Sequence, residues 1–137
     1  MNAVTLSDGT VRVTYREPLS ARIVMGDIGP GSNGWRVTDV SEVGGFGLVA
    51  AGAAGRRTVL AARDDQGLVA FGAGTGWVQG GVPLVHTPGL AEDAQGRFTV
   101  LALGPDGVLY TARQTASRPD APLGAWSAAA VAARLPG

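Results

Sequence analysis

Three tryptophans, at positions 35, 77 and 126, are spaced along the chain with recurring neighbours. Twelve residues beyond Trp35 lies Gly47-Leu48-Val49, and twelve beyond Trp77 lies Gly89-Leu90-Ala91. Further on, Arg57-Thr58-Val59-Leu60-Ala61 matches Phe98-Thr99-Val100-Leu101-Ala102, and Asp65-Gln66-Gly67-Leu68-Val69 matches Pro105-Asp106-Gly107-Val108-Leu109. Matches that keep their order mark an internal repeat, and a repeat limits the fold strongly because each unit must bury its apolar surface on its neighbours. The first unit is more diverged. Setting Asp8-Gly9 against the turns at Gly55 and Gly96 aligns Thr10-Val11-Arg12-Val13 with Arg97-Phe98-Thr99-Val100. It also places Ile23-Val24-Met25-Gly26 opposite Val69-Ala70-Phe71-Gly72. The outcome is a single domain of three units, near 1–45, 46–87 and 88–137.

Each unit reads as four strands. In the third they are expected at Gly89–Asp93, Arg97–Leu103, Gly107–Arg113 and Ala125–Ala130. Val, Leu, Phe, Tyr and Thr crowd these segments, with Asp-Gly or Gln-Gly between them. In Gly104-Pro105-Asp106-Gly107 proline presets φ, Asp bonds its own backbone and Gly supplies a positive φ, which together make a turn. Val11, Val13 and Tyr15 alternate with Arg12, Thr14 and Arg16, the pattern of a half-buried strand. The Ala-rich tract from Ser127 to Ala133 reads as a final strand followed by a frayed tail. The fold class is therefore all-β. Four strands in about 40–50 residues is the size of a propeller blade, whereas three units in one chain also suit a β-trefoil. Length favours the trefoil and the residues favour the propeller.

One stretch carries a family likeness. Asp93-Ala94-Gln95-Gly96-Arg97-Phe98-Thr99-Val100-Leu101-Ala102-Leu103-Gly104-Pro105-Asp106-Gly107-Val108-Leu109-Tyr110, followed by Gln114-Thr115 and Trp126, resembles a blade of the bacterial PLL-type, tectonin-like propeller lectins. Unit two keeps Gly55-Arg56, Asp65-Gln66-Gly67-Leu68 and Trp77 but has Phe71 and no Gln, and unit one keeps Asp8-Gly9 and Trp35 only. The resemblance implies three blades per chain and a carbohydrate-binding role. Three blades leave unpaired edges at both ends of an arc, so closure by oligomerisation is expected, with a homodimer giving six blades. Fucose-type recognition in related propellers uses Arg, Glu and Trp together, and the Glu has no clear repeat here.

Composition excludes several other classes. The eleven basic residues are all Arg and are matched by eleven acidic residues, so there is no basic stripe for nucleic acid. Cys is absent, which removes disulfides and thiolate-held metals. The start, Met1-Asn2-Ala3-Val4-Thr5-Leu6-Ser7-Asp8, shows no signal peptide, and a secreted or cell-surface location is expected if the protein is a lectin. The most apolar stretch, Gly44 to Gly55, is too short and Gly-rich to insert in a membrane.

No catalytic motif occurs, and no metal or cofactor is expected. The sole histidine, His86, lies in the Pro-flanked Pro83–Pro88 segment without the partners a metal needs. Asp64-Asp65 and Glu92-Asp93 are sequence neighbours, which point to opposite faces of a strand and do not form a couple. Gly72-Ala73-Gly74-Thr75-Gly76 precedes a strand and reads as a hairpin, not a phosphate loop. The candidate ligand set is Trp35, Trp77 and Trp126, whose indoles could stack on a sugar's C–H face, with Tyr110, Arg113 and Gln114 supplying hydrogen bonds. A Trp once per unit equally suits a structural wedge between blades. A ligand site is expected between neighbouring units, where two walls meet. The expected partner is a glycan or monosaccharide, with a structural or interaction protein as the alternative and an enzyme third.

Overall fold

The computed structural model describes residues 1–30, 34–41, 43–55, 57–73 and 77–131. The Gly74-Thr75-Gly76 part of the expected hairpin and the tail after Val131 lie outside the described residues. Among the described residues twelve strands form three separate four-stranded antiparallel sheets. Blade 1 holds β1 (Asn2–Thr5), β2 (Val11–Arg16), β3 (Ile23–Ile28) and β4 (Arg36–Val40). Blade 2 holds β5 (Ala50–Ala54), β6 (Arg57–Arg63), β7 (Val69–Ala73) and β8 (Trp77–Val78). Blade 3 holds β9 (Gly89–Glu92), β10 (Phe98–Leu103), β11 (Val108–Arg113) and β12 (Ser127–Val131). Each sheet is a simple meander, with strands side by side in chain order. Three such sheets are propeller blades. A trefoil would instead distribute its hairpins between a barrel and a cap, so the propeller alternative holds.

Turn chemistry positions the strands. Gly67 and Gly107 both sit at φ 77°, closing β6–β7 and β10–β11 at a backbone angle that side chains rarely adopt. Asp64 Oδ1 accepts from the N–H of Gln66 and of Leu68, both at 2.9 Å, and Asp106 Oδ1 accepts from Val108 N–H at 3.1 Å. The β2–β3 connection is longer, running from Glu17 to Arg22, and the Glu17 carboxylate accepts from the N–H of Leu19 and Ser20 instead.

These shared turns correct one alignment made from sequence. Counting back from Gly67 and Gly107 sets Thr58, Leu60 and Ala62 against Phe98, Val100 and Ala102, one residue away from the match of Val59 with Val100. A one-residue slip in a strand exchanges its two faces. The physical reason for the slip is that β6 is buried on both faces, so its sequence shows an apolar run and no alternation.

With the register set, each blade has a leading face toward the preceding blade and a trailing face toward the next. Leu60, Ala62 and Ala70 on the leading face of blade 2 share a core with Ile23 and Met25 on the trailing face of blade 1. Phe98, Val100 and Ala102 on the leading face of blade 3 share another with Val59, Ala61, Val69 and Phe71 on the trailing face of blade 2. The core is thus two seams between blades, not a single central mass. Inner strands β1, β5 and β9 adjoin one another. Gly52 on β5 leaves room for the Phe98 ring, which any Cβ there would strike.

Arginine holds the first seam. The Arg16 guanidinium donates to the carbonyls of Ala21 (2.7 Å), Gly47 (3.2 Å), Val43 (3.3 Å) and Arg63 (2.9 Å), tying β2 to the connection into blade 2 and to β6. Burial pushes its pKa down from the usual guanidinium value, and its partners are four carbonyl oxygens. Arg63, at the same position in blade 2, donates to the Leu84 carbonyl at 3.2 Å. The corresponding residue of blade 3 is Leu103.

Candidate functional site

On blade 1 the strongest cluster of polar and aromatic groups gathers where the β1–β2 turn meets the end of β3 and the start of β4. A cleft of about 530 Å³ opens there, lined by Asp8, Thr10, Arg12, Asp27, Trp35 and Arg36, with Leu6 and two glycines completing it. Arg12 and Asp27 face each other across β2 and β3 as a registered pair. Their contact is bidentate, Nε to Oδ1 at 2.8 Å and Nη2 to Oδ2 at 2.9 Å, the geometry in which a guanidinium best matches a carboxylate. The hydrogen bond from Arg12 holds the Asp27 carboxyl below the usual carboxylate range, while partial burial works against it and the charges of Arg12 and Arg36 add to the lowering. The same bond raises the Arg12 pKa. Both groups are therefore ionised across neutral pH and are held in a fixed orientation.

Trp35 stands at the rim of this cleft, 43 % exposed. Its indole covers Gly26 on β3, where any Cβ would collide with the ring, and it lies 6.4 Å from the Tyr15 ring at a tilt of 35°. Trp77 covers Gly72, the equivalent glycine of blade 2, where a Cβ would come within 3.0 Å of the indole. Trp77 is half-buried against the first seam. Trp126 packs on the second seam and lines a smaller cleft of about 190 Å³. Blade 2 contributes Val69, Phe71 and Gly81 to that cleft, and blade 3 contributes Pro122, Leu123 and Trp126. The tryptophans thus occupy like positions on the leading faces and do not converge on a single site.

The other candidates of unit three are not brought together. Tyr110 donates its hydroxyl to Asp106 Oδ2 at 2.7 Å. Arg113 points from the opposite face of β11, where its Nε donates to Asp93 Oδ2 at 2.6 Å and its Nη2 to Gln95 Oε1 at 2.7 Å. Gln114 is only 1 % exposed and serves the fold. Its Oε1 accepts from the Phe98 N–H at 2.9 Å, and its Nε2 donates to the carbonyls of Ala121 (3.0 Å) and Arg118 (3.2 Å). With both ends of the amide engaged, Gln114 pins the 115–122 loop to β10 and has no surface to offer a ligand.

Sequence reasoning missed Arg12, Asp27 and Arg36. The signal available was an Arg and an Asp on neighbouring strands, which becomes a pair only when the β2–β3 register is known. His86 is exposed in the connection from blade 2 to blade 3, with φ 61°. Among the described residues no group of three or more His, Asp or Glu is placed to hold a metal ion. No helix among them is long and apolar enough to cross a membrane.

No protein-family model matches the chain, and no curated protein sequence matches it. Among solved structures, a fucose lectin from Kordia zhangzhouensis in complex with methyl-fucoside is similar to it, with a TM-score of 0.60 over 92 % of this chain and 94 % of that one. The two are 12 % identical, so the likeness is one of fold.

Proposed function

We propose that this protein is a lectin-like carbohydrate-binding module, without catalytic activity, that becomes multivalent by oligomerisation. The observation that carries the reading is the cleft of blade 1, whose lining takes in the half-exposed Trp35 and, from the other face of the sheet, the fixed Arg12–Asp27 pair. An indole face suits the apolar side of a sugar ring. Arg12 and Asp27 set a donor and an acceptor side by side, which matches neighbouring hydroxyls, and Arg36 adds a further donor. The mixed charges of the lining suit a neutral ligand. Trp77 and Trp126, with Tyr110 and Arg113 on blade 3, mark related positions on the other blades. Two chains would supply six blades, and several weak sites on one particle gain avidity on a glycan surface. The similar fold of a lectin solved with methyl-fucoside supports the sugar class.

A glycan array probed with the intact protein, followed by calorimetric titration of methyl-fucoside, tests the reading. Binding should survive added salt, because a neutral sugar needs no ionic partner. Trp35→Ala and Arg12→Ala should each abolish binding at this cleft while far-UV circular dichroism shows both variants to be folded. An array without any positive glycan would overturn the proposal and leave a structural or interaction protein on the same scaffold.

A further inference from the structure

The two seams inside the chain define what a third would need. A leading face carries Thr58, Leu60, Ala62 and Ala70 in blade 2, and Phe98, Val100, Ala102 and Tyr110 in blade 3, all of them buried except the half-buried Tyr110. The same positions in blade 1 are Val11, Val13, Tyr15 and Val24, joined on that face by Ile28 and Trp35. Among the described residues no blade covers this face of blade 1: Ile28 is 41 % exposed there, while Val24 is buried.

Trailing faces show the converse. Val59, Ala61, Val69 and Phe71 of blade 2 are buried by blade 3. Their counterparts in blade 3 are Thr99, Leu101, Leu109 and Thr111, with Leu103 where blades 1 and 2 carry Arg16 and Arg63. Leu101 is 38 % and Leu103 37 % exposed. The replacement is informative. Arg16 and Arg63 each clasp the connection leading to the next blade, and blade 3 has the apolar Leu103 at that position.

We propose that the leading face of blade 1 docks on the trailing face of blade 3 of a second copy, reproducing an internal seam, and that this contact supplies the missing wall beside Trp35. The occupant is a second copy because the open faces are the two halves of a seam the chain already makes twice. The pairing is heterologous, with different faces meeting, and two copies close it into a ring. Open sheet faces, not open strand edges, are what assembly covers. At the internal seam Trp126 shares its cleft with Val69 and Phe71 of the preceding blade. By the same register Trp35 would meet Leu109 and Thr111 of the second copy. This rests on the assembly and site of the proposed function and deepens them, and its test uses no sugar, so it can fail independently of ligand recognition.

Sedimentation velocity of the full chain, with a dilution series followed by tryptophan emission, provides that test. The wild type should sediment as a closed dimer, and the emission difference between wild type and Trp35→Phe should shift to the red on dilution as Trp35 becomes wetter. Ile28→Arg and Leu101→Arg should each weaken association by more than about thirtyfold, the effect of disrupting an interface hot spot. Leu48→Arg, exposed but on neither face, should leave it unchanged. Mixing Ile28→Arg with Leu101→Arg should restore a dimer joined by one intact seam, a rescue that a self-complementary interface would not give. Far-UV circular dichroism identifies any variant that fails to fold, and the mixing result then rests on Val11→Arg with Leu103→Arg. A wild-type monomer, or face variants that all remain dimeric, overturns the proposal.

Discussion

The indole of Trp35 covers the backbone of Gly26, and nothing larger than glycine fits beneath it. The same arrangement recurs at Trp77 and Gly72, but with different surroundings, since blade 1 packs against the blade 2 pair and, among the described residues, no blade packs against Trp35. One motif thus has a structural use in the middle of the chain and an open surface at its beginning.

The two tryptophans should therefore respond differently to truncation. Trp77→Ala empties part of the first seam and should destabilise the fold by about 3 kcal/mol, near the low end for a large aromatic because the side chain is only half-buried. Trp35→Ala should cost less than ~1 kcal/mol in the monomer, in the range of surface substitutions. Denaturant melts of both variants at equal concentration check the contrast, and equal losses would contradict it.

Gln114→Ala should destabilise by roughly 1–3 kcal/mol, because it leaves the buried Phe98 N–H without its acceptor and frees carbonyls of the 115–122 loop. Proteolysis should then cut first within that loop. An unchanged melt would show that the amide is dispensable. The result also bears on ligand assays, since any loss of binding in a Gln114 variant would come through the loop.

Arg16→Leu removes four carbonyl partners at once and should cost roughly 2–4 kcal/mol, the scale of charge-assisted hydrogen bonds lost from a partly buried site. Hydrogen exchange should rise on both sides of the first seam and stay unchanged in blade 3. Protection lost evenly over all three blades would argue against a local clasp.

Acid should weaken the Arg12–Asp27 link. The folded-state pKa of Asp27 is depressed chiefly by the Arg12 hydrogen bond, so its contribution is present above the ordinary carboxylate range and is lost as pH falls through the depressed value. Asp27→Asn should therefore lower stability at neutral pH and flatten the acid limb of the stability curve. Melting temperatures of the variant and wild type should approach each other at low pH. A constant gap between them across the titration would exclude this linkage.

The sequence by itself determined the class of fold. Repeated Trp, Asp-Gly turns and β-branched runs are local signals, and local steric rules convert them into hairpins of known length, so three four-stranded units could be read directly. Asp8-Gly9 closing β1–β2, as Gly55 and Gly96 close β5–β6 and β9–β10, was readable for that reason. What only the tertiary structure decided is which way each residue faces. Strands buried on both sides carry no alternation, so β6 could be slid by one residue against β10 without any local penalty, and only packing against blades 1 and 3 fixes the register. The candidate site depended on the same information. Arg12 and Asp27 are fifteen positions apart and meet through cross-strand pairing, whereas Arg113 ends β11 bonded to Asp93 and its neighbour Gln114 turns inward to the Phe98 N–H. Adjacency along the chain did not reveal which side chains meet, and the cross-strand register decided it.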